Sequence, residues 1–511
     1  MWQNQFSAVE IWAIFYVKIK DTHTWKCPHN TQIFHDVVHA GAIVLKKTYR
    51  VADGSRLVLS GYTSDLVGGI IVYDFDSSTN EWGKNITSGF ESGQYHELSR
   101  TTIISDLNTI GQLGECVDIS ADGNIIVVSG SISNSNTDGI AIVYEYNEST
   151  KEWGKFEGNT FTANEYYNLG TNYNNLNLNG KYGKKCSISS NGKIIVVSGG
   201  SDHSALVWFK DENVITHPYR WSFKQDLDID LSNYGSDNSI SRDGTTIIVS
   251  AFISETEGKV YVWNYDTFSN VYINSNIITK SNASGRFGYS CSVSADGNTI
   301  VTSGYNTGTT GCVYVYEYNS DTKQWGKFNA NGTFNNNTPH DLSITSELSF
   351  KYGENCRISA DGNSIVVSGS NSSTTGGGSV MWFYNVNTKL WENMKQIYNE
   401  IGYSFGLGSY ISANGTTLLM SGYETSSEGS VAYLWKGIDN GLSENNLIVN
   451  STDISTGFIL PVIDSVSVRD VDWSGVVATS PSYTLVDATN TNAKYGKSAA
   501  LNIGFQKVTG D

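Results

Sequence analysis

The sequence predicts an all-β chain: a seven-bladed β-propeller, with eight blades as the alternative count, each blade a sheet of four antiparallel strands. Three observations carry this prediction. A phrase of an aromatic residue and Gly, a short strand ending in Ile-Ser, an Asp-Gly or Asn-Gly turn and an apolar strand ending in Ser-Gly recurs along the chain. A second phrase, with Tyr and an acid or amide, then Thr, then Trp, follows the first. The composition, with 30 Tyr and 51 Gly but only 5 Pro in 511 residues, suits short strands joined by tight turns.

The first phrase is clearest at Gly183–Gly199 and Gly288–Gly304. Its turn glycines fall at Gly54, Gly123, Gly192, Gly244, Gly297, Gly362 and Gly415. Asp-Gly and Asn-Gly between apolar runs mark hairpins, because such turns need residues that tolerate positive φ. The second phrase reads as another hairpin, clearest at Val72–Trp82, Val143–Trp153 and Val315–Trp325, with a looser copy at Phe383–Trp391. Two hairpins make one four-stranded unit. Such a unit cannot cover both its faces alone, so the copies must stack around an axis.

The ends of the chain set the problem of closure. Segment 1–42, rich in Lys and His and poor in Gly, differs in composition from the repeats at 43–437, and 438–511 follows as a C-terminal segment. The aromatic-Gly or Leu-Gly pair precedes every turn but the first, where Val44 and Leu45 stand instead. A spare copy begins at Tyr495 and Gly496. Segment 495–502 is therefore expected to pair with 56–60 and complete the first blade, within one chain or in a neighbouring subunit. Strands at 465–468 and 476–480 would instead build an eighth blade.

The aromatic-Gly strand resembles FG-GAP-type repeats, and the Tyr-Asp…Thr…Trp hairpin resembles the second half of a kelch repeat. The composite unit is similar to propeller repeats in predicted surface proteins of aquatic microbes and large algal viruses, over about residues 45–437. The resemblance implies a propeller. It does not bring calcium with it: the turns lack the Asp-rich loop of calcium-binding FG-GAP repeats, and a Ca²⁺ ion needs six to eight oxygens.

Charge and motifs narrow the function. Lys and Arg total 33 against 50 acids, a net charge of −17 that disfavours nucleic acid and anionic membranes as partners. The apolar run at 8–17 is too short to span a bilayer and contains Glu10, so neither membrane insertion nor a clear export signal is expected. A GxSxG match at Gly402–Gly406 is explained by the repeat's own Phe405-Gly406 pair, and that motif belongs to a strand-to-helix turn. Eight Arg scattered along the chain do not suggest a sialidase-type cluster, and the acids sit mostly at turns and alternating strand positions. No catalytic residues and no cofactor are assigned.

Four kinds of candidate site remain. Cys27, His29, His35 and His39 lie close together, and a helix over 33–40 would put His35 and His39 on one face as zinc ligands can be. One cysteine in no familiar finger spacing argues against it. Cys186, Cys291 and Cys356 occupy one repeat position in three blades and are expected as buried, unbridged thiols. Sequons occur at Asn85, Asn147, Asn282, Asn331, Asn336, Asn371, Asn414 and Asn450, about as many as this Asn-rich composition gives by chance. Finally, turn-to-turn spacing is 52–53 residues for three blades and 65–69 for three others. The extra length, as at 160–180 and 329–349, reads as amide-rich loops, with Tyr166, Tyr167 and Tyr173 suited to carbohydrate or protein contact.

The function expected from these residues is a non-catalytic surface, virion or extracellular building block that binds protein or carbohydrate, with self-assembly through the C-terminal segment. An intracellular kelch-like scaffold is the alternative, and a glycan-cleaving propeller the third reading.

Overall fold

The computed structural model describes most of 56–436, with gaps in the connecting segments, and the strands Thr24–Trp25, Gln32–His35 and Val44–Arg50. The chain divides into two compact units, His29–Ile438 and Met1–Pro28 with Asp439–Asp511. Among the described residues the first unit holds seven antiparallel sheets, numbered blades 1 to 7 in order of their turns.

The first hairpin of blades 2 to 6 forms because its turn is locked by side chains. In blade 2, Ser120 Oγ donates to Asp122 Oδ1, which also accepts the Asn124 N–H at 3.0 Å, and the Ile125 N–H donates to Ser120 Oγ at 3.0 Å. The same Ser-x-Asp/Asn-Gly geometry recurs at Ser189 and Asn191, Ser241 and Asp243, Ser294 and Asp296, and Ser359 and Asp361. Each turn glycine sits at positive φ, +69° to +81° from Gly123 to Gly415, where a side chain is strained. The turns also bond to one another around the ring. Ala121 N donates to Ser190 O, Asn191 N to Arg242 O, Arg242 N to Ala295 O and Ala295 N to Ala360 O, all within 3.3 Å.

The two halves of the first phrase meet across neighbouring blades. Ser198, Ser303 and Ser368 donate their hydroxyls to the carbonyls of Gly235, Gly353 and Gly406 in the next blade, at 3.0–3.2 Å. A Cβ on Gly353 would lie 2.6 Å from Gly304 O, so this glycine is required by close backbone approach as well as by its φ of +92°. The core fills the wedges between blades with Ile, Val and aromatic side chains, as where Val128 and Ile142 pack with Val58 and Val72. Innermost strands touch in a closed cycle: Val44–Arg50, Cys116–Ile119, Lys185–Ile188, Tyr234–Ile240, Ser290–Val293, Asn355–Ile358, Gly408–Ile411 and back to Val44–Arg50. The fold is a β-propeller.

Three expectations from the sequence are corrected by the structure. Strand Arg56–Tyr62 is flanked by Val44–Arg50 on one side and Gly68–Asp76 on the other, so no edge is left for 495–502. Val44–Arg50 fills the innermost place without an aromatic-Gly pair, using a register shift between Leu45 and Lys47. Second, the boundary placed at 43 cuts through a blade: Gln32–His35 pairs with Val431–Leu434 and supplies the outermost strand of blade 7. Third, His35 therefore stands on a strand, not on a helix facing His39. His39, Cys27 and His29 lie outside the described residues, as do 465–468, 476–480 and 495–502.

The long spacings are not simple loops. In blades 3, 4 and 6 the fourth strand is continuous and shifts register once, opposite Val207/Trp208, Val262/Trp263 and Met381/Trp382. In blades 1, 2 and 5 the fourth strand stops early, at Ile86, Glu157 and Phe328. A fifth strand (Gly89–Ser92, Thr160–Ala163, Phe334–Asn336) then folds back on it. A short return strand (His96–Leu98, Tyr167–Asn168, His340–Asp341) pairs with the remainder of the third.

Candidate binding site in the central channel

The innermost strands put alternate side chains toward the axis. Counting back two residues from the turn serine gives Asp118, Ser187, Ser239, Ser292, Arg357 and Tyr410; these line a cavity of about 140 Å³ at the centre of the ring. Counting back four gives a second tier that contains Cys116, Lys185, Asp237, Ser290 and Asn355.

Both tiers have a structural task. An innermost strand has no sheet partner on its inner side, so its N–H groups need other acceptors. The neighbouring blade supplies them. Asp118 Oδ2 accepts the Ile188 N–H at 2.9 Å, Ser239 Oγ that of Val293 at 3.2 Å and Ser292 Oγ that of Ile358 at 3.3 Å. In the deeper tier Asp237 Oδ2 accepts the Cys291 N–H at 3.1 Å, and Ser290 Oγ the Cys356 N–H at 3.3 Å.

The strongest charges in the channel compensate each other. Asp237 is 1% exposed, with Arg357 Nη1 at 3.3 Å, Lys185 Nζ at 3.8 Å and the Ser290 hydroxyl donating at 2.9 Å. Arg357 also donates to Cys356 O at 2.7 Å. Asn238 Nδ2 donates to Ser198 Oγ, while its Oδ1 accepts from Ser187 Oγ, both at 2.6 Å. Such a lining offers hydroxyls, an amide, the Asp118 and Arg242 side chains and, beside them, the Asp237–Arg357 ion pair.

Away from the channel, a buried and a partly buried carboxylate secure two of the interrupted blades. Asp74 accepts from Arg56 Nε at 2.7 Å and from the Asn85 N–H at 2.9 Å, with His96 Nε2 at 2.9 Å. Burial alone would raise the Asp74 carboxyl, but the hydrogen bond from His96 and the Arg56 charge outweigh it and hold it below the usual range. Glu317 is also held low: burial is outweighed by hydrogen bonds from His340 (2.9 Å) and the Phe328 N–H (2.8 Å). In blade 2 the return strand brings Tyr167 instead. Its hydroxyl accepts from the Phe156 N–H at 2.7 Å and donates to Phe156 O at 2.6 Å.

Of the three tyrosines expected to contact a partner, Tyr167 is thus committed to the backbone of its own blade, and Tyr166 packs half-buried against Tyr144, ring centroids 6.0 Å apart. Neither is a free aromatic platform; Tyr173 lies outside the described residues. Asn331 and Asn336 are exposed on the blade 5 hairpin, Asn85 and Asn147 are partly buried, and Asn282, Asn371, Asn414 and Asn450 lie outside the described residues. Among the described residues no group of His, Cys, Asp and Glu is arranged to hold a metal. Burial raises the Cys291 thiol well above its ordinary value, Cys312 to about 12 and Cys356 to about 11. Sequence reasoning missed the channel tiers, although their signal, the alternate positions before the turn serine, was present in six of the seven repeats, Val51 replacing the serine in the first.

No family model matches the chain, and no curated protein does. Solved structures give likenesses of low identity. Hydrazine synthase of Kuenenia stuttgartiensis is 11% identical, with 80% of this chain and 100% of that chain covered and a TM-score of 0.45. A chain of the mitotic checkpoint complex is 12% identical, with 81% and 98% covered and a TM-score of 0.45. The propeller assignment stands on the strand order and the closed ring of innermost strands.

Proposed function

We propose that this protein is a non-catalytic surface or extracellular component, of the FG-GAP-like and kelch-like kind, whose seven-bladed propeller serves as a binding or assembly module for protein or carbohydrate. The observation that carries the reading is the state of the channel's charges. An enzyme keeps an acid, base or nucleophile available to substrate. Here Asp237, the most buried acid of the channel, is saturated by Arg357, Ser290 and a backbone N–H. The histidines His96 and His340 stand on return strands, bonded to carboxylates. Among the described residues these side chains are engaged in joining strands, which supports recognition rather than chemistry as the role of the fold.

Two measurements test the proposal. Chromogenic glycoside, ester and phosphate substrates should give no turnover above background; turnover that disappears in a folded Asp237→Asn variant would overturn it. Immunogold imaging should place the protein at a cell or particle surface. An exclusively cytosolic location would favour the intracellular scaffold, a reading supported by the thiols of Cys291, Cys312 and Cys356 standing unbridged.

A further inference from the structure

The register that stitches the innermost strands sets two sulfurs against each other. The residue four before a turn serine accepts the N–H of the residue three before the next turn serine, as Asp237 does for Cys291 and Ser290 for Cys356. Between blades 2 and 3 both of these positions are cysteine. Cys116 Sγ accepts the Cys186 N–H at 2.9 Å, and the two Sγ atoms lie 3.0 Å apart. That contact holds the Cα atoms within about 7 Å of each other, inside the span a disulfide can bridge.

We propose that Cys116 and Cys186 are an inter-blade modification site, a thiol pair that closes to a disulfide with a small-molecule disulfide as oxidant. Access comes from the axis: both thiols are buried in the core between the two blades, Cys186 at 3% and Cys116 at 0% exposure, and Cys186 is among the residues lining the central cavity. The Cys186 thiolate attacks one sulfur of the oxidant, forming a mixed disulfide and releasing one small thiolate. Cys116, its proton lost to solvent, then attacks Cys186 Sγ and expels the second. Two protein thiols give up two electrons and two protons, and the small disulfide leaves as two thiols. The bond joins residues 70 apart in sequence and clamps the innermost strands of consecutive blades. The site is independent of the binding reading, since it needs only the geometry of the repeat.

The test uses the full chain in two arms, native protein incubated with cystamine and denatured protein refolded in a glutathione redox buffer. Peptide mapping without reduction should find a Cys116–Cys186 linked pair in both arms. The melting temperature should rise by roughly 5 °C on oxidation, return with dithiothreitol, and respond the same way in Cys291→Ser. Cys116→Ser and Cys186→Ser should show no oxidative rise. The map of the wild-type protein decides the question even if a variant fails to fold. A cysteamine adduct on Cys186 that never resolves, or the lack of the linked peptide in both arms, would overturn the proposal.

Discussion

At Asp74, one buried carboxylate gathers Arg56, His96 and a backbone N–H, and Arg56 in turn reaches blade 2, its guanidinium 4.0 Å from the Tyr146 ring centroid. Removing the carboxylate strands a buried guanidinium, a change that costs about 3–5 kcal/mol in comparable pairs. The pH dependence follows from the lowered folded pKa. An acid that ionises more readily folded than unfolded contributes stability that is complete above its unfolded value, about 3.9. That contribution is lost as pH falls through the lower folded value. Asp74→Asn should therefore melt well below wild type at pH 7, and the gap should narrow steadily as the pH drops from about 4 toward 3. Thermal melts of both proteins across that range check it; a gap of constant size would show that the carboxylate's charge is not what matters.

Strands differ in how openly they announced themselves. Hairpins with Asp-Gly or Asn-Gly turns were legible because Ser, Asp and Gly must occupy fixed offsets for the turn bonds to form. The fifth strands of blades 1, 2 and 5 were hidden because their Asn, Gly and Thr residues read as loop. The signal was a Phe eight or nine residues after each Trp. Phe161 and Phe334 cover Gly154 and Gly326, and a Cβ there would fall 2.1 and 2.0 Å from the carbonyls of Thr162 and Asn335. Val44–Arg50 was missed for another reason: a bulge replaces the motif. Blade 4 has no such guard. Its outermost strand, Val271–Ser281, has a sheet partner on one side only among the described residues, and exposes Val271, Ile273 and Ile277. A long apolar edge invites pairing between chains. The double substitution of Ile273→Lys and Ile277→Lys should lower light scattering of concentrated solutions and move stability by no more than about 0.5 kcal/mol. Unchanged scattering would mean that this edge is not what associates.

For the ring as a whole, the sequence suggested the wrong end of the chain. The spare aromatic-Gly at Tyr495 and Gly496 drew attention because it matched the repeat, whereas Gln32–His35 matches nothing in it. A four-residue strand needs no motif to pair; it needs only an open edge and alternating backbone groups, and Gly429–Lys436 offers both. Blade 7 is thus assembled from both sides of the propeller's sequence, with three strands from 408–436 and one from 32–35. Joining the last blade to a residue before the first ties sequence-distant segments into one sheet, so the ring cannot open at blade 7 without breaking that ladder. Two truncations separate this closure from the one expected at first. Deleting 1–36 should expose Val431–Leu434 as a new edge, lower the melting temperature and promote aggregation. Deleting 490–511 removes none of the strands described in the seven sheets and should leave the propeller's own unfolding transition in place. Differential scanning calorimetry with size-exclusion chromatography reads both effects. A loss of stability from the second deletion alone would return closure to the C-terminal segment.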